Sequence, residues 1–147
     1  MDTEQNKTVT RRFLEEVWNQ RRLELIDELL TPDSVLHVMG EHKVGRETAR
    51  ATLRDIWLAS FPDLRITVDD QLAEGDKVCD RCVVSGTHTG APYLGIEAAG
   101  KPFQLTTTTI SRIENGQIAE TWQDLDFFSF VRQLGVAMQR AQPAEVA

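Results

Sequence analysis

The residues best placed to do chemistry are carboxylates. Glu120, Asp124 and Asp126 follow one another at even spacing with Trp122, so on a regular strand all four share a face with Ile118. Ile118 and Trp122 are bulky and apolar, and that face is expected to look inward. A carboxylate carried into an apolar interior is costly unless paired, hydrogen-bonded or protonated. The same cost raises its pKa and suits it to act as a general base. Asp126 has a second role open to it: it directly precedes a helix-like run from Phe127, where aspartate is a favoured N-cap. Asp124 is its rival for the interior, because a bulge would exchange which aspartate faces inward. Glu120 is expected to pair with Arg81 or Arg112 in a structural contact.

Other side chains extend the set. His88, in Gly86-Thr-His-Thr-Gly90, sits at a strand end, where it packs or donates a hydrogen bond to a substrate oxygen. His37 is in a strand-like stretch and His42 in a loop. No H-x-H or H-x-x-x-H spacing appears, so no metal site is expected. Gln104 and Thr106 to Thr109 make an unusually polar strand, whose alternate members would offer a pocket neutral hydrogen-bonding groups. Trp18, Trp57, Phe61, Trp122, Phe127 and Phe128 read as core and pocket wall together, flat surfaces that suit a ring-bearing ligand. Cys79 and Cys82 form a C-x-x-C, but on a strand they point to opposite faces. They read as two ordinary thiols.

Length and composition set the bounds. A chain of 147 residues, 41% hydrophobic, is expected to form one domain with a sizeable core, 1–147, ordered over about 5–138. The net charge of −7 and the lack of a concentrated basic face argue against nucleic-acid binding. No stretch approaches the roughly 18 uninterrupted apolar residues of a membrane span. The N-terminus lacks the basic and apolar regions of a signal peptide. A cytoplasmic protein without membrane partners is expected.

The elements that must position these residues follow from periodicity. Val9, Phe13, Val17 and Trp18 recur at helical spacing over about 4–20. Leu23, Ile26, Leu29 and Leu30 suggest a short second helix stopped by Thr31-Pro32. Ser34 to Met39 reads as a strand, and 46–60 as a helix with Ala49, Leu53, Ile56 and Trp57 on its apolar face. Strands are expected over Leu64–Glu74 and Lys77–Thr89, joined at Gly75-Asp76. Gly90 to Gly100 is loop by composition, although Tyr93, Leu94 and Ile96 need an apolar home. A last hairpin spans Phe103–Glu114 and Gln117 to about Asp126 around Asn115-Gly116, a type I′ turn signal. Phe127 to Met138 should close the chain as a helix, with a frayed tail after Arg140. The order predicts an α+β architecture: an antiparallel meander covered on one face by the leading helices, around a concave apolar pocket.

Taken together, Gly75-Asp76, Gly86-Thr-His-Thr-Gly90, Arg112-Ile-Glu-Asn-Gly-Gln-Ile118, Glu120-x-Trp122-x-x-x-Asp126 and Gln133-Leu-Gly135 resemble the SnoaL-like polyketide cyclases of the nuclear transport factor 2-like superfamily, over about residues 5–136. The resemblance implies a cone-shaped (cystatin-like) curved antiparallel sheet wrapped by N-terminal helices, and association as a homodimer or higher homo-oligomer through the outer face of the sheet. It also implies cofactor-independent ring closure of a small, polyketide-like carbonyl compound. Asp126 is then the base, with His88 or a threonine hydroxyl at the developing oxyanion, and Trp18, Trp57, Phe61, Gln104, Thr106, Trp122 and Phe127 lining the substrate. Two other readings belong to the same fold: a non-catalytic binding or dimerisation module, and an epoxide hydrolase needing an aspartate–arginine–aspartate arrangement. For the latter, Asp80, Arg81, Arg112 and Asp126 supply the residue types, although adjacent Asp80 and Arg81 point to opposite faces.

Overall fold

The first helix begins at a capping box. Asp2 accepts a hydrogen bond from the Gln5 backbone amide at 2.8 Å while the Gln5 side chain accepts from the Asp2 amide at 3.0 Å, satisfying two donors that a helix start leaves free. The computed structural model describes residues 2–137. Helix α1 (Thr3–Arg12) runs on into a π-helical segment, Phe13–Asn19. A short 3₁₀ turn, Leu23–Leu25, leads into α2 (Ile26–Leu29).

Six strands then build one sheet. They are β1 (Leu30–Val38), β2 (Glu41–Val44), β3 (Arg65–Glu74), β4 (Lys77–Thr87), β5 (Pro102–Glu114) and β6 (Gln117–Leu125), in the order β2-β1-β6-β5-β4-β3. Between β2 and β3 lie α3 (Arg46–Thr52), a second π-helical segment (Leu53–Trp57) and α4 (Leu58–Ser60). Helix α5 (Phe127–Gln133) follows β6. The result is the expected α+β fold, a curved sheet that does not close on itself. The helix expected to reach Met138 ends at Gln133, because the chain turns at Gly135 with φ +107°. The expected tail after Arg140 lies outside the described residues.

Strands β3 to β6 form the expected meander, and Asn115-Gly116 makes its turn with φ of 50° and 78°. The all-antiparallel sheet is corrected in one place: β1 pairs with β6 in parallel. Short turns force antiparallel neighbours only on strands that they join, and β1 arrives from far away in the chain. Pro32, which has no N–H to give a ladder, sits where the β1–β6 register shifts. Strand β2 was not apparent from Glu41-His-Lys-Val44. It folds back on β1 through Met39-Gly40, both at positive φ.

One irregularity decides which side chains face the interior. Ile113 pairs with Ile118, but Arg112 pairs with Glu120, leaving Ala119 as an extra residue on β6. A bulge of this kind moves every later side chain to the other face. Ile118 looks inward as expected. Thr121, Gln123 and Leu125 then point in, while Glu120, Trp122 and Asp124 go to the outer face, corrected from the inward expectation.

Helix α1 and its π extension lie against β3 and β4, and Asn19 fixes them there. Its side chain accepts from the Ile66 amide and donates to the Ile66 carbonyl, both at 2.7 Å, and so acts as a missing neighbour for edge strand β3. Asn19→Ala leaves both groups of Ile66 unpaired. It is expected to cost about 2 kcal/mol, read as a lower midpoint in urea unfolding at unchanged m-value. An unchanged midpoint would show that water replaces Asn19 freely.

Candidate functional site

The core divides into two apolar clusters. One is aromatic, centred on Phe61 and Phe130 with Tyr93 and Phe103; the other joins Val9, Val17 and Ile26 to Leu53, Val78 and Ile118. A cavity of about 140 Å³ is lined by members of both. Its walls are largely apolar, with Trp18 and Trp57 meeting edge-on at 6.5 Å between ring centroids. Each tryptophan comes from one of the two π-helical segments.

The floor is the inner face of β4, β5 and β6, where a group of polar side chains is set among Cys82, Val84, Leu105, Ile118 and Leu125. Asp80 pairs with Thr109 across β4–β5, and Thr109 with Gln123 across β5–β6. Thr107 and Thr121 lie in the same lining, and Ser111 stands 3.3 Å from the Thr121 hydroxyl. Asp80 is the single carboxylate among the described lining residues and is 1% exposed. Its Oδ1 accepts a 2.7 Å hydrogen bond from Gln71 Nε2, and Gln71 is tied to helix α1 through the Lys7 carbonyl and Thr10 hydroxyl, each at 3.1 Å. Burial raises the Asp80 pKa above the ordinary aspartate value. The hydrogen bonds from Gln71 and Thr10 and the charge of Arg11 offset this only in part.

The expected site residues divide sharply. Trp18 and Trp57 line the cavity. Phe61 is fully buried in the aromatic cluster rather than at the cavity surface. Phe127 packs against that cluster from the side. Gln104 and Thr106 face outward, and their neighbours Leu105, Thr107 and Thr109 take the inner positions. Trp122 is 37% exposed on the outer face, stacked on His37 at 5.5 Å.

Asp126 caps α5, its Oδ1 accepting from the Ser129 amide at 3.0 Å; it does not line the cavity. Neither does His88. It is fully buried beside Phe61, with Nε2 donating to the Ala91 carbonyl at 2.9 Å, where it pins the loop between β4 and β5. Glu120 pairs as expected with Arg112, at 3.4 Å, and also meets His37 Nε2 at 2.7 Å, but on the outer face. Cys79 and Cys82 are free thiols, and Cys82, inside the cavity wall, is pushed up to about 12 by burial. Among the described residues no group of three His, Cys, Asp or Glu could hold a metal, and no helix is long and apolar enough to cross a membrane.

Asp80 enters the sequence reading only through the hydrolase arrangement and not as a base, although the sequence carries its signal. In Val78-Cys-Asp-Arg-Cys-Val-Val84, Asp80 shares the parity of Val78, Cys82 and Val84, so it is the polar member of a buried face. Thr10 is likewise a polar residue among the buried positions of α1.

A curved sheet folded over a helix-covered pocket is the architecture of the nuclear transport factor 2-like proteins. The sequence profile of the SnoaL-like polyketide cyclases matches residues 8–134, and the chain belongs to that family. Among solved structures it is similar to TsrD from Streptomyces laurentii, at 32% identity and a TM-score of 0.81 over 92% of this chain and 98% of that one. It is similar also to IdmH from Streptomyces antibioticus, at 34% identity and a TM-score of 0.75 over 90% and 99%. A Jannaschia sp. CCS1 protein assigned to the SnoaL-like cyclases shares the fold at 22% identity, with a TM-score of 0.84 over 92% and 95%. No curated protein is matched by the sequence.

Proposed function

We propose that the protein is a cofactor-independent enzyme of the polyketide-cyclase type with Asp80 as its general base. The observation that carries this reading is a buried carboxylate of raised pKa facing an apolar cavity. A carbon flanked by two carbonyls is already fairly acidic, and a carboxylate of raised basicity suffices to deprotonate it. Asp80 takes that proton. The enolate carbon attacks a second carbonyl of the same molecule, a C–C bond forms, and the new alkoxide recovers the proton from Asp80. Thr109, its cross-strand neighbour, and Thr107 supply neutral hydroxyls to the developing oxyanion. The substrate class is a small, largely apolar carbonyl compound with rings that suit Trp18 and Trp57.

The test is hydrogen–deuterium exchange, followed by NMR in D₂O, at the carbon between the carbonyls of aromatic β-keto esters. Wild type and Asp126→Asn are expected to exchange far above buffer, and Asp80→Asn to fall to background. Loss in Asp126→Asn with retention in Asp80→Asn would return the role to the cap residue. Background exchange in wild type would favour a binding module. The hydrolase reading has less support: Arg81 is exposed, and Arg112 pairs with Glu114 and Glu120 instead of entering the cavity.

A homodimer through the outer face remains part of this proposal. Leu72, Cys79, Ile110, Trp122, His37 and His42 are successive cross-strand partners, and Leu72, Ile110 and Trp122 are exposed. Such a stripe favours burial against another surface. Trp122→Glu is expected to halve the mass measured by light scattering, whereas a wild-type monomer at 100 µM (a concentration of about that order suits weak interfaces) would remove the proposal.

A further inference from the structure

The polar residues of the cavity carry one positive charge among the described lining: Lys43. It lies on β2 and its side chain reaches the lining between Leu36 of β1 and the inner face of α3. Lysine on an edge strand is ordinarily a solvated residue. This one is half-buried and makes no ion pair among the described residues, although the chain carries a net charge of −7 and its neighbours Arg46 and Arg50 are both paired, with Asp27. A half-buried ammonium in the cavity lining with no protein anion paired to it among the described residues is free to pair with an anionic group on a ligand.

The site also fixes where that anion lies. From β2 to β4 the sheet runs through β1, β6 and β5. Four inter-strand steps of about 4.8 Å put Lys43 roughly 19 Å from Asp80 along the wall, and less across it because the sheet curves. The cation and the buried carboxylate therefore stand on strands separated by three others in the lining of the same cavity.

We propose that Lys43 is a specificity-determining residue that selects a substrate bearing a free carboxylate at the end remote from the acidic carbon, in preference to the corresponding ester. This rests on the reading of the cavity as a carbonyl-substrate site. The ammonium donates charge-assisted hydrogen bonds to the carboxylate, the rings lie between Trp18 and Trp57, and the reacting carbon reaches Asp80. An ester offers Lys43 only a neutral acceptor and leaves the ammonium uncompensated.

The test uses a matched pair of probes, anthraquinone-2-carboxylate and its methyl ester, titrated against quenching of tryptophan fluorescence at low and high salt. Wild type is expected to prefer the acid by about tenfold, as one charge-assisted contact supplies, and the preference should shrink with salt. Lys43→Met should abolish the preference by weakening the acid alone, and Lys43→Arg should keep it. Equal affinity for acid and ester in wild type, or a preference that survives in Lys43→Met, would overturn the role of Lys43 while leaving the cavity as a ring-binding site. Failure of wild type to bind either probe would overturn the cavity reading and this proposal with it.

Discussion

Asp80→Asn should lose carbon-acid exchange by about 10²- to 10⁴-fold, the usual contribution of a positioned base, while melting at or above the wild-type temperature at pH 8. The two halves of this result have one cause. Asp80 is 1% exposed and burial raises its pKa, so the folded protein binds a proton there more tightly than the unfolded chain does. For a group of raised folded pKa, the stability it contributes is complete below the unfolded value of about 3.9. That contribution is lost as pH rises through the folded value. At neutral and basic pH the ionised Asp80 therefore works against folding. Asparagine keeps the shape and can still accept the hydrogen bond from Gln71 without the charge. The difference in melting temperature between variant and wild type should favour the variant at pH 8 and close towards pH 4. A variant less stable than wild type at every pH would show that Asp80 is held as a structural anion, and would count against its role as a base.

Gly90→Ala should be the most damaging change outside the cavity. The Gly90 and Ala91 amides donate to the carbonyls of Ser60 and Ala59, at 3.1 and 2.9 Å, and so finish helix α4. A Cβ at Gly90 would sit well inside contact with the Ala59 carbonyl oxygen, a backbone atom that cannot turn aside. The loop must lift, and both hydrogen bonds go with it. Tyr93 and His88, which pack on Phe61 from the same loop, are displaced. Overpacking and the lost bonds together cost on the order of 3–5 kcal/mol. For a chain of this size that is roughly 10–15 °C in melting temperature. A drop below about 3 °C, within the scale of one kcal/mol, would show that the loop yields without losing its contacts.

Local structure was legible in the sequence, and facing was not. The leading helix, the 46–60 helix, the Gly75-Asp76 and Asn115-Gly116 hairpins and the opposed cysteines all follow from rules that act over a few residues. The orientation of β6 depends on Ala119, a single inserted residue whose position is set by what β5 offers across the turn. The parallel β1–β6 pair depends on strands far apart in the chain. Polarity itself misled at particular positions, because the inner face carries Asp80, Thr107, Thr109 and Gln123 among its apolar residues, and the outer face carries Ile110 and Trp122 among its polar ones. Trp122 is expected inside and lies outside for that reason, whereas Gln104 and Thr106 lie outside because the opposite parity of the same polar run, Leu105, Thr107 and Thr109, faces in. Asp80 was legible by parity with Val78 and Cys82, but that inference needs no more than a regular β4.

The extra residue at Ala119 has a consequence for how such a pocket changes over time. Loss of that one residue would leave Ile118 and Glu120 adjacent and alternating, with Thr121 and Gln123 still facing the cavity. Keeping it but smoothing out the bulge, a one-residue slip of β6 on β5, would turn Trp122 and Asp124 inward and Thr121 and Gln123 away. A new lining of that kind would otherwise take several coordinated substitutions. The two wide helical turns that carry Trp18 and Trp57 are open to the same kind of change, since a π-helical segment holds one residue more per turn than its neighbours need. The shape of such a pocket is therefore expected to respond to a slip at this bulge and to the loss of one residue from either π-helical turn more than to single side-chain substitutions.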